Sequence, residues 1–492
     1  MNKILSFTVK KWLRRAGLLL ALPVAAVVFL IAYITFKVAT YEQTDDLQRL
    51  QNKQDYLASL PKNTVPQTPD VVVILFDDLG FGDVGFTGNR SIKTPHMDRL
   101  AKQGVLMMNY FAPAPVCSPS RAAMLTGRMA PRNGLTAVPF PSGTPLDRAN
   151  RFFDNPVRLP REEIIISDVL QASGFHTAMV GKWHMGDHDK SIPTEFGFDK
   201  FFGTYHSNDM NPFHLVEGET GQGEKIAYAA PVDQTGLNGL YAEKAEQFIA
   251  AAPEDKPMFL YFAHNFPHVP LYTAAHEHGR SNAGLYGDVV QGLDDTVGRI
   301  VAALKKRGKF DNTLIIITSD NGPWWEGRGV GRGRKGQSFE GGIHVPFVAH
   351  WPAQLNPLVS DELVMGSDLL PTLLDEFDIA PPQDRKLDGL SIAQTWRGGK
   401  TPHEALYYYG GATLMAVRQG RYKYRDRKPI VYAVDPVRIP VWSSHGPFLF
   451  DMQTDPDEAY DVSTHRPAVA ARLKAILDAR NEEMADNPRG WK

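Results

Sequence analysis

The chain predicts an α/β fold in which a large, mostly parallel central sheet is flanked by helices. A smaller C-terminal α+β domain of antiparallel strands follows, and a transmembrane helix precedes both. Three observations predict this. Four short apolar runs read as strands buried on both faces. Amphipathic stretches between them read as helices, and strand–helix alternation implies a parallel sheet. An uncharged run with a basic flank opens the chain.

That opening run extends from Ala16 to Phe36, preceded by Lys3, Lys10, Lys11, Arg14 and Arg15. As a helix it measures roughly 31 Å, enough for a hydrocarbon core of ~30 Å. The positive flank belongs in the cytoplasm, so the remainder lies outside it. A cleaved signal peptide is the alternative, but it would end at a small-x-small site, and Val24-Ala25-Ala26 offers only a weak one. Residues 1–40 thus read as basic flank and anchor. Residues 41–68 are rich in Gln and Asp and read as a polar stalk, helical up to Leu60. Residues 69–390 form the α/β domain and 391–492 the smaller one.

The four strands are Val71–Phe76, His176–Val180, Met258–Ala263 and Leu314–Thr318. Each is followed by polar residues: Asp77-Asp78, Lys182 and His184, His264 and His268, and Asp320-Asn321. Ligands of open α/β sheets bind outside the carboxyl ends of the strands, so these clusters should converge. Helices are expected from Asp98 to Gly104, at Ile166–Ala172 before Gly174, and at Leu285–Lys306 before Gly308. Leu414–Arg418, Tyr422–Arg425, Ile430–Ala433 and Phe448–Asp451 read as short antiparallel strands. A helix from Pro467 to Met484 ends the chain.

Composition narrows the function. The 53 basic and 55 acidic residues leave a net charge of −2, which gives no electrostatic case for a nucleic-acid partner. A single cysteine, Cys117, excludes an intramolecular disulfide and any multi-thiolate metal site.

Asp77, Asp78, Asp320 and Asn321 offer only oxygen ligands, which suit Ca²⁺ or Mg²⁺; an isolated Asp-Asp is equally a turn or helix cap. Cys117 sits in Cys-Ser-Pro-Ser-Arg121, with Ser118 resembling an N-cap, Pro119 at the first helical position and Gly127 as a stop. A thiolate is a soft ligand and a poor neighbour for a hard cation. Either Cys117 stands away from the metal or it no longer carries sulfur. Lys182, His184, His268 and Lys335 suit a tetrahedral oxyanion, though each is also an ordinary solvated or structural side chain. The basic, glycine-rich stretch Gly327–Gly336 lacks the spacing of a phosphate-binding loop. Trp324 and Trp325 read either as an aromatic platform or as packing.

Cys117-Ser-Pro-Ser-Arg121 with Leu125-Thr-Gly-Arg128 closely resembles the motif of the type I sulfatases, arylsulfatase-like members of the alkaline-phosphatase-like superfamily. The resemblance runs from about Pro69 to Met484. It also takes in Gly181-Lys-Trp-His-Met-Gly186, with a mild variation at Met185, and Asn265-Phe-Pro-His268. Ser319-Asp-Asn-Gly322 and Arg334-Lys335-Gly336 complete the set, although the family often has glycine where this chain has Arg334.

The resemblance implies that Cys117 becomes formylglycine through a maturation enzyme. The metal ligands would be Asp77, Asp78, Asp320, Asn321 and position 117. Lys182, His184, His268 and Lys335 would bind the sulfate, Arg121 would support the formylglycine, and His268 would be the acid for the departing alcohol. The implied reaction hydrolyses a sulfated small molecule or glycan by way of a covalent sulfo-enzyme. Phosphonate and phosphodiester hydrolases of the superfamily are the rival reading; an inactive, membrane-tethered glycan binder is another. Specificity is expected in Asn208–Leu240 and in the Trp324–Arg334 loop. The anchor, the single cysteine and one N-x-S site at Asn89 fit the periplasmic face of a bacterial inner membrane. Release into the periplasm or medium after signal cleavage is the alternative.

Overall fold

The computed structural model describes residues 12, 23–62, 67–188, 190–429 and 444–492. A ten-stranded sheet forms its centre. The strands are β1 (Asp70–Phe76), β2 (Val105–Phe111), β3 (His176–Lys182), β4 (Lys200–Thr204) and β5 (Leu215–Glu219), then β6 (Gly223–Tyr228), β7 (Met258–Ala263), β8 (Thr313–Ser319), β9 (Phe347–His350) and β10 (Leu358–Met365). Their order is β10-β2-β9-β8-β1-β7-β3-β4-β5-β6. Only β9 and β5 run against the rest, so the sheet is mixed, with a parallel centre.

Alternate residues of β1 explain the three layers. Val71, Val73 and Leu75 pack on one face with Met124, Leu170 and Leu373, from helices Cys117–Thr126, Ile166–Ala172 and Leu369–Glu376. Val72, Ile74 and Phe76 pack on the other with Leu100, Tyr241 and Leu293, from helices Pro95–Gln103, Leu237–Ala251 and Gly284–Lys306. Each such aliphatic side chain, fully buried, contributes about 1.5–3 kcal/mol. The helix expected at Asp98 starts earlier because Pro95, its first residue, has a backbone already suited to a first turn.

The second sheet is antiparallel: β11 (Leu406–Gly410), β12 (Thr413–Gln419), β13 (Tyr422–Arg425) and β16 (Phe448–Asp451). Between its last two members a short pairing joins β14 (Lys428–Pro429) and β15 (Ser444–His445). The strand expected at Ile430–Ala433 lies outside the described residues. The helix Pro467–Asp486 covers this sheet, with Leu473 and Leu477 wholly buried against Leu414 and Tyr424.

At the N-terminal end, residues 23–39 are helical, whereas the basic flank and residues 16–22 of the expected span lie outside the described residues. Among the described residues no helix is long and apolar enough to cross a membrane. The segment read as a stalk is packed against the body. Helix Leu47–Ser59 is capped by Asp46, Lys53 is buried 2.7 Å from Asp168, and Leu60 joins the core. Its polar residues find partners on the body, which a reading of polarity alone could not foresee.

A buried ion network ties the C-terminal helix to the body. Asp388 meets Arg132 at 2.8 Å and also Arg480, and it accepts the Met129 N–H at 2.7 Å. Burial alone would raise the Asp388 carboxyl, but Arg480 and Arg132 outweigh it and hold it below the usual range. A depressed acid stabilises above its unfolded pKa of ~3.9, and that stability is lost as pH falls through the folded value. Asp388→Asn should therefore cost about 3 kcal/mol at neutral pH, the low end for a broken buried pair, because Glu483 still meets both guanidinium groups. It should also flatten the acid limb of the stability profile below about pH 4. Urea unfolding from pH 3 to 7 checks both, and an unchanged midpoint would contradict the network's importance.

Candidate active site

Strands β8, β1, β7 and β3 are neighbours and run in parallel, so their carboxyl ends meet at one edge. Backbone pairing continues past those ends. The Asp320 N–H donates to the Phe76 carbonyl at 3.1 Å, and the Asp77 N–H to that of Phe266 at 3.2 Å. The polar residues that follow each strand are thereby held side by side. Two of them sit on left-handed backbone, Asp78 at φ 67° and His184 at φ 60°, a conformation rare outside glycine. Gly181 is fixed for a different reason: at φ 110° it has no room for a side chain, since a Cβ would lie 2.0 Å from the Ala263 carbonyl oxygen.

Cys117 is the first residue of its helix, with Val116 at the cap position. The helix therefore starts two residues earlier than the Ser-Pro pair suggests, and Gly127 ends it at φ 67° as expected. One turn on, Arg121 is wholly buried. Its Nε donates to Asp320 at 2.8 Å, one terminal nitrogen donates to the Lys182 carbonyl at 2.6 Å, and the other lies 3.8 Å from Asp77. A sulfur of Cys117 and carboxylate oxygens of Asp77 and Asp320 lie within 4.8 Å of one another, and a second such group joins Asp77, Asp78 and His268.

Two buried lysines face the carboxylates. Lys182 pairs with Asp77 and donates to the Ser207 hydroxyl at 3.2 Å, and Lys335 lies 2.8 Å from Asp78. The loop carrying Lys335 is stitched down by Gly336, whose N–H donates to the Pro115 carbonyl at 2.6 Å. Arg334 turns to brace that loop, donating to the carbonyls of Trp324 and Gly327 at 2.8 and 3.0 Å. His184 is fully buried, and neither ring nitrogen has a hydrogen-bond partner among the described residues. Burial, then Lys182, hold its pKa well below the ordinary value, so the ring is neutral. His268 lies with Nδ1 2.5 Å from the Val269 carbonyl. A carbonyl only accepts, so the assigned proton is on Nδ1. Burial and Lys335 lower the pKa of His268 as well.

The site's charge balance suits a hard cation. Asp77 Oδ1 and Asn321 Oδ1 are buried acceptors without a hydrogen-bond partner among the described residues, a costly state for a carboxylate or amide oxygen. Burial and the neighbouring Asp77 push the Asp320 carboxyl up, as crowded carboxylates do when no divalent charge offsets them. These oxygen donors fit Ca²⁺ or Mg²⁺. The thiol fits less well, because burial pushes Cys117 up and keeps its sulfur protonated.

All ten residues singled out from the sequence come together here: Asp77, Asp78, Asp320 and Asn321, Cys117 and Arg121, Lys182, His184, His268 and Lys335. Five of them, Asp78, Cys117, His184, His268 and Lys335, line a cavity of about 320 Å³, whose other walls include Ser207, Asp209 and an apolar side formed by Val138, Phe140, Leu146, Met210 and Trp324. Of these apolar residues only Trp324 had been singled out, and Met210 falls within the loop expected to set specificity. Val138, Phe140 and Leu146 carry no pattern that marks them, whereas Ser207 beside Lys182 falls in Tyr205-His-Ser-Asn-Asp209, a stretch similar to arylsulfatase-like sequences. The larger concavity over β3–β6, about 580 Å³, contains none of the ten.

A model of the sulfatase family matches residues 69–379, and one for the C-terminal region of aryl-sulfatase matches residues 401–490. The chain is 35% identical to the N-acetylgalactosamine-6-sulfatase of Mus musculus over 379 residues, 73% of this chain and 72% of that one. It is 32% identical to arylsulfatase A of Homo sapiens over 460 residues, 84% and 87% of the two. The crystal structure of a sulfatase from Pseudoalteromonas sp. superposes with a TM-score of 0.75 at 26% identity, covering 90% of this chain and 95% of that one.

Adding Ca²⁺ or Mg²⁺ to chelator-treated protein should raise its Tm, by the equivalent of about 2.7 kcal/mol at one hundred times Kd. Asp77→Asn and Asp320→Asn should abolish the response. A Tm indifferent to both ions in the unsubstituted chain would contradict a cation site here.

Proposed function

The chain belongs to the sulfatase family and is a sulfuric ester hydrolase; we propose that it cleaves its ester with an oxygen nucleophile at position 117, beside a divalent cation. The observation that carries this is the place of Cys117, buried with its sulfur among the oxygens of Asp77 and Asp320. A soft, protonated sulfur suits neither a hard cation nor nucleophilic attack there. Formylglycine, made from Cys117 by a maturation enzyme, would supply as its hydrate an oxygen nucleophile toward sulfur in place of the thiol. Asp77, Asp78, Asp320, Asn321 and the oxygen of residue 117 would hold a Ca²⁺ or Mg²⁺ ion, which would supply Lewis acidity.

The chain's own groups do the rest. Lys182 and Lys335 are buried cations, and in so dry a site their attraction for sulfate oxygens is strong. His184, neutral and unpartnered, contributes an N–H without adding charge. Arg121 keeps Asp320, Asp77 and the helix of residue 117 in register. His268 holds Nδ1–H against the Val269 carbonyl, leaving Nε2 to carry a proton to the departing oxygen. Burial and Lys335 lower its pKa, so Nε2 carries a proton only once the ring is charged, which the arriving sulfate anion favours by offsetting Lys335.

The substrate is a sulfated small molecule or glycan. The relatives named for N-acetylgalactosamine 6-sulfate support a sugar, and the apolar wall of the cavity supports a flat sugar or aryl face. Residues 1–40 anchor the enzyme with its catalytic domain on the periplasmic face of a bacterial inner membrane, or are cleaved to release it. The exposed surface of residues 23–36, apolar except for Tyr33 and Thr35, supports the anchor.

Cys117→Ala should lower turnover of an aryl sulfate at least ~10³-fold with the fold intact; near-wild-type activity would defeat the scheme. Lys335→Ala should cost about 10²–10³ in kcat/KM, as the loss of a preorganised charge does. Rates on matched aryl sulfate, phosphate and phosphonate esters test the reaction type. The sulfate should be preferred, and a faster phosphonate would favour the rival reading.

A further inference from the structure

Residues 23–36 form a helix exposed on every side, and their side chains are apolar except for Tyr33 and Thr35. A helix apolar all round finds no stable place in water and belongs in hydrocarbon. This one does not lead into a free linker. The Tyr33 ring meets Phe152 edge-on at 6.3 Å, and the Lys37 ammonium lies 5.2 Å above the same ring and 2.8 Å from Asp154. Tyr41 then donates to the Asn155 carbonyl at 2.7 Å, Gln43 donates to that of Arg158 at 2.8 Å, and Asp45 pairs with Arg158 at 2.6 Å. The chain is latched to the body from the last turns of the apolar helix onward.

The helix that receives this latch, Pro145–Phe152, also reaches the catalytic cavity, whose rim includes Leu146. Six helical residues separate Leu146 from Phe152, about 9 Å. Tyrosine and lysine at the end of an apolar helix settle at the level of the lipid headgroups. That layer is about 5–8 Å deep on each side of a bilayer. Whichever way the Pro145–Phe152 helix points, Leu146 stays in or beside it. Leu146 and Phe153 are 46% and 45% exposed, and Arg148 is exposed between them, a combination suited to acyl chains and anionic headgroups.

We infer that the end of the N-terminal helix and the Pro145–Phe152 helix form one membrane-docking face, whose partner is the lipid bilayer and which holds the mouth of the catalytic cavity at the headgroup layer. This rests on the anchor proposed above and goes beyond it, because a stalk would let the domain move freely away from the surface. Sulfate esters then enter the cavity at the bilayer surface.

The test uses the full chain with Cys117→Ser, so that a single new cysteine takes the label. An environment-sensitive fluorophore is placed at Phe153→Cys or, as a control, at Lys306→Cys. Lys306 is exposed and ends a helix that leads into the start of β8, at the opposite edge of the sheet from the cavity. Protein is reconstituted into phosphatidylcholine–phosphatidylglycerol vesicles containing a headgroup-nitroxide lipid. Quenching should be several-fold stronger at 153 than at 306. Adding Tyr33→Ala with Lys37→Ala, which removes the ring contact and the Asp154 pair without adding a cation to the face, should bring the two together while the protein still floats with the vesicles. Flotation with equal quenching in the latched chain overturns the docking face and leaves the anchor standing. Failure to float overturns the anchor and the docking face with it.

Discussion

The Arg121 guanidinium is the contact through which the site holds together. Without solvent exposure, it binds Asp320 from β8, stands beside Asp77 from β1 and caps the end of β3 through the Lys182 carbonyl. Removing a buried cation from such a cluster would leave two carboxylates facing each other in a low dielectric, a cost of several kcal/mol. The same side chain springs from the helix that begins at residue 117, so the position of that residue follows from those of Asp320 and Asp77. Parallel strands supply the ends, and Arg121 sets their relative height.

Around this contact the charges are arranged in excess on both sides. Asp77 and Asp78 each take a lysine, while Asp77 Oδ1 and Asn321 Oδ1 keep unused acceptor capacity. Neutralised carboxylates beside orphaned oxygens are the arrangement on which the proposed cation and sulfate subsites rest. The same cavity has an apolar side formed by Val138, Phe140, Leu146, Met210 and Trp324.

Most of the catalytic layer was legible in the sequence because continuous apolar runs such as Val71–Phe76 are buried on both faces and end abruptly in charged residues. The strands that sequence reading left out have a mixed character: β5 and β6 leave residues such as Glu217 and Lys225 exposed, and β9 is only four residues long. The reversed direction of β9 follows from its pairing with both β8 and β2, which no local pattern encodes. The cavity's apolar wall was hidden for a related reason, since a Leu or Val in a loop looks the same whether it lines a site or a core. The segment after the apolar helix was misjudged as a stalk because its Gln, Asp and Lys side chains are polar in sequence, yet they bind backbone and ions on the body. Polarity predicts exposure only when no partner is waiting.

Everything proposed for the chemistry depends on residue 117 acting through oxygen rather than sulfur. The most direct measurement is the mass of the tryptic peptide Gln103–Arg121, taken from protein that hydrolyses an aryl sulfate and was made in its native host. The account predicts replacement of sulfur by oxygen with loss of two hydrogens. A fully alkylatable thiol in equally active protein would contradict it.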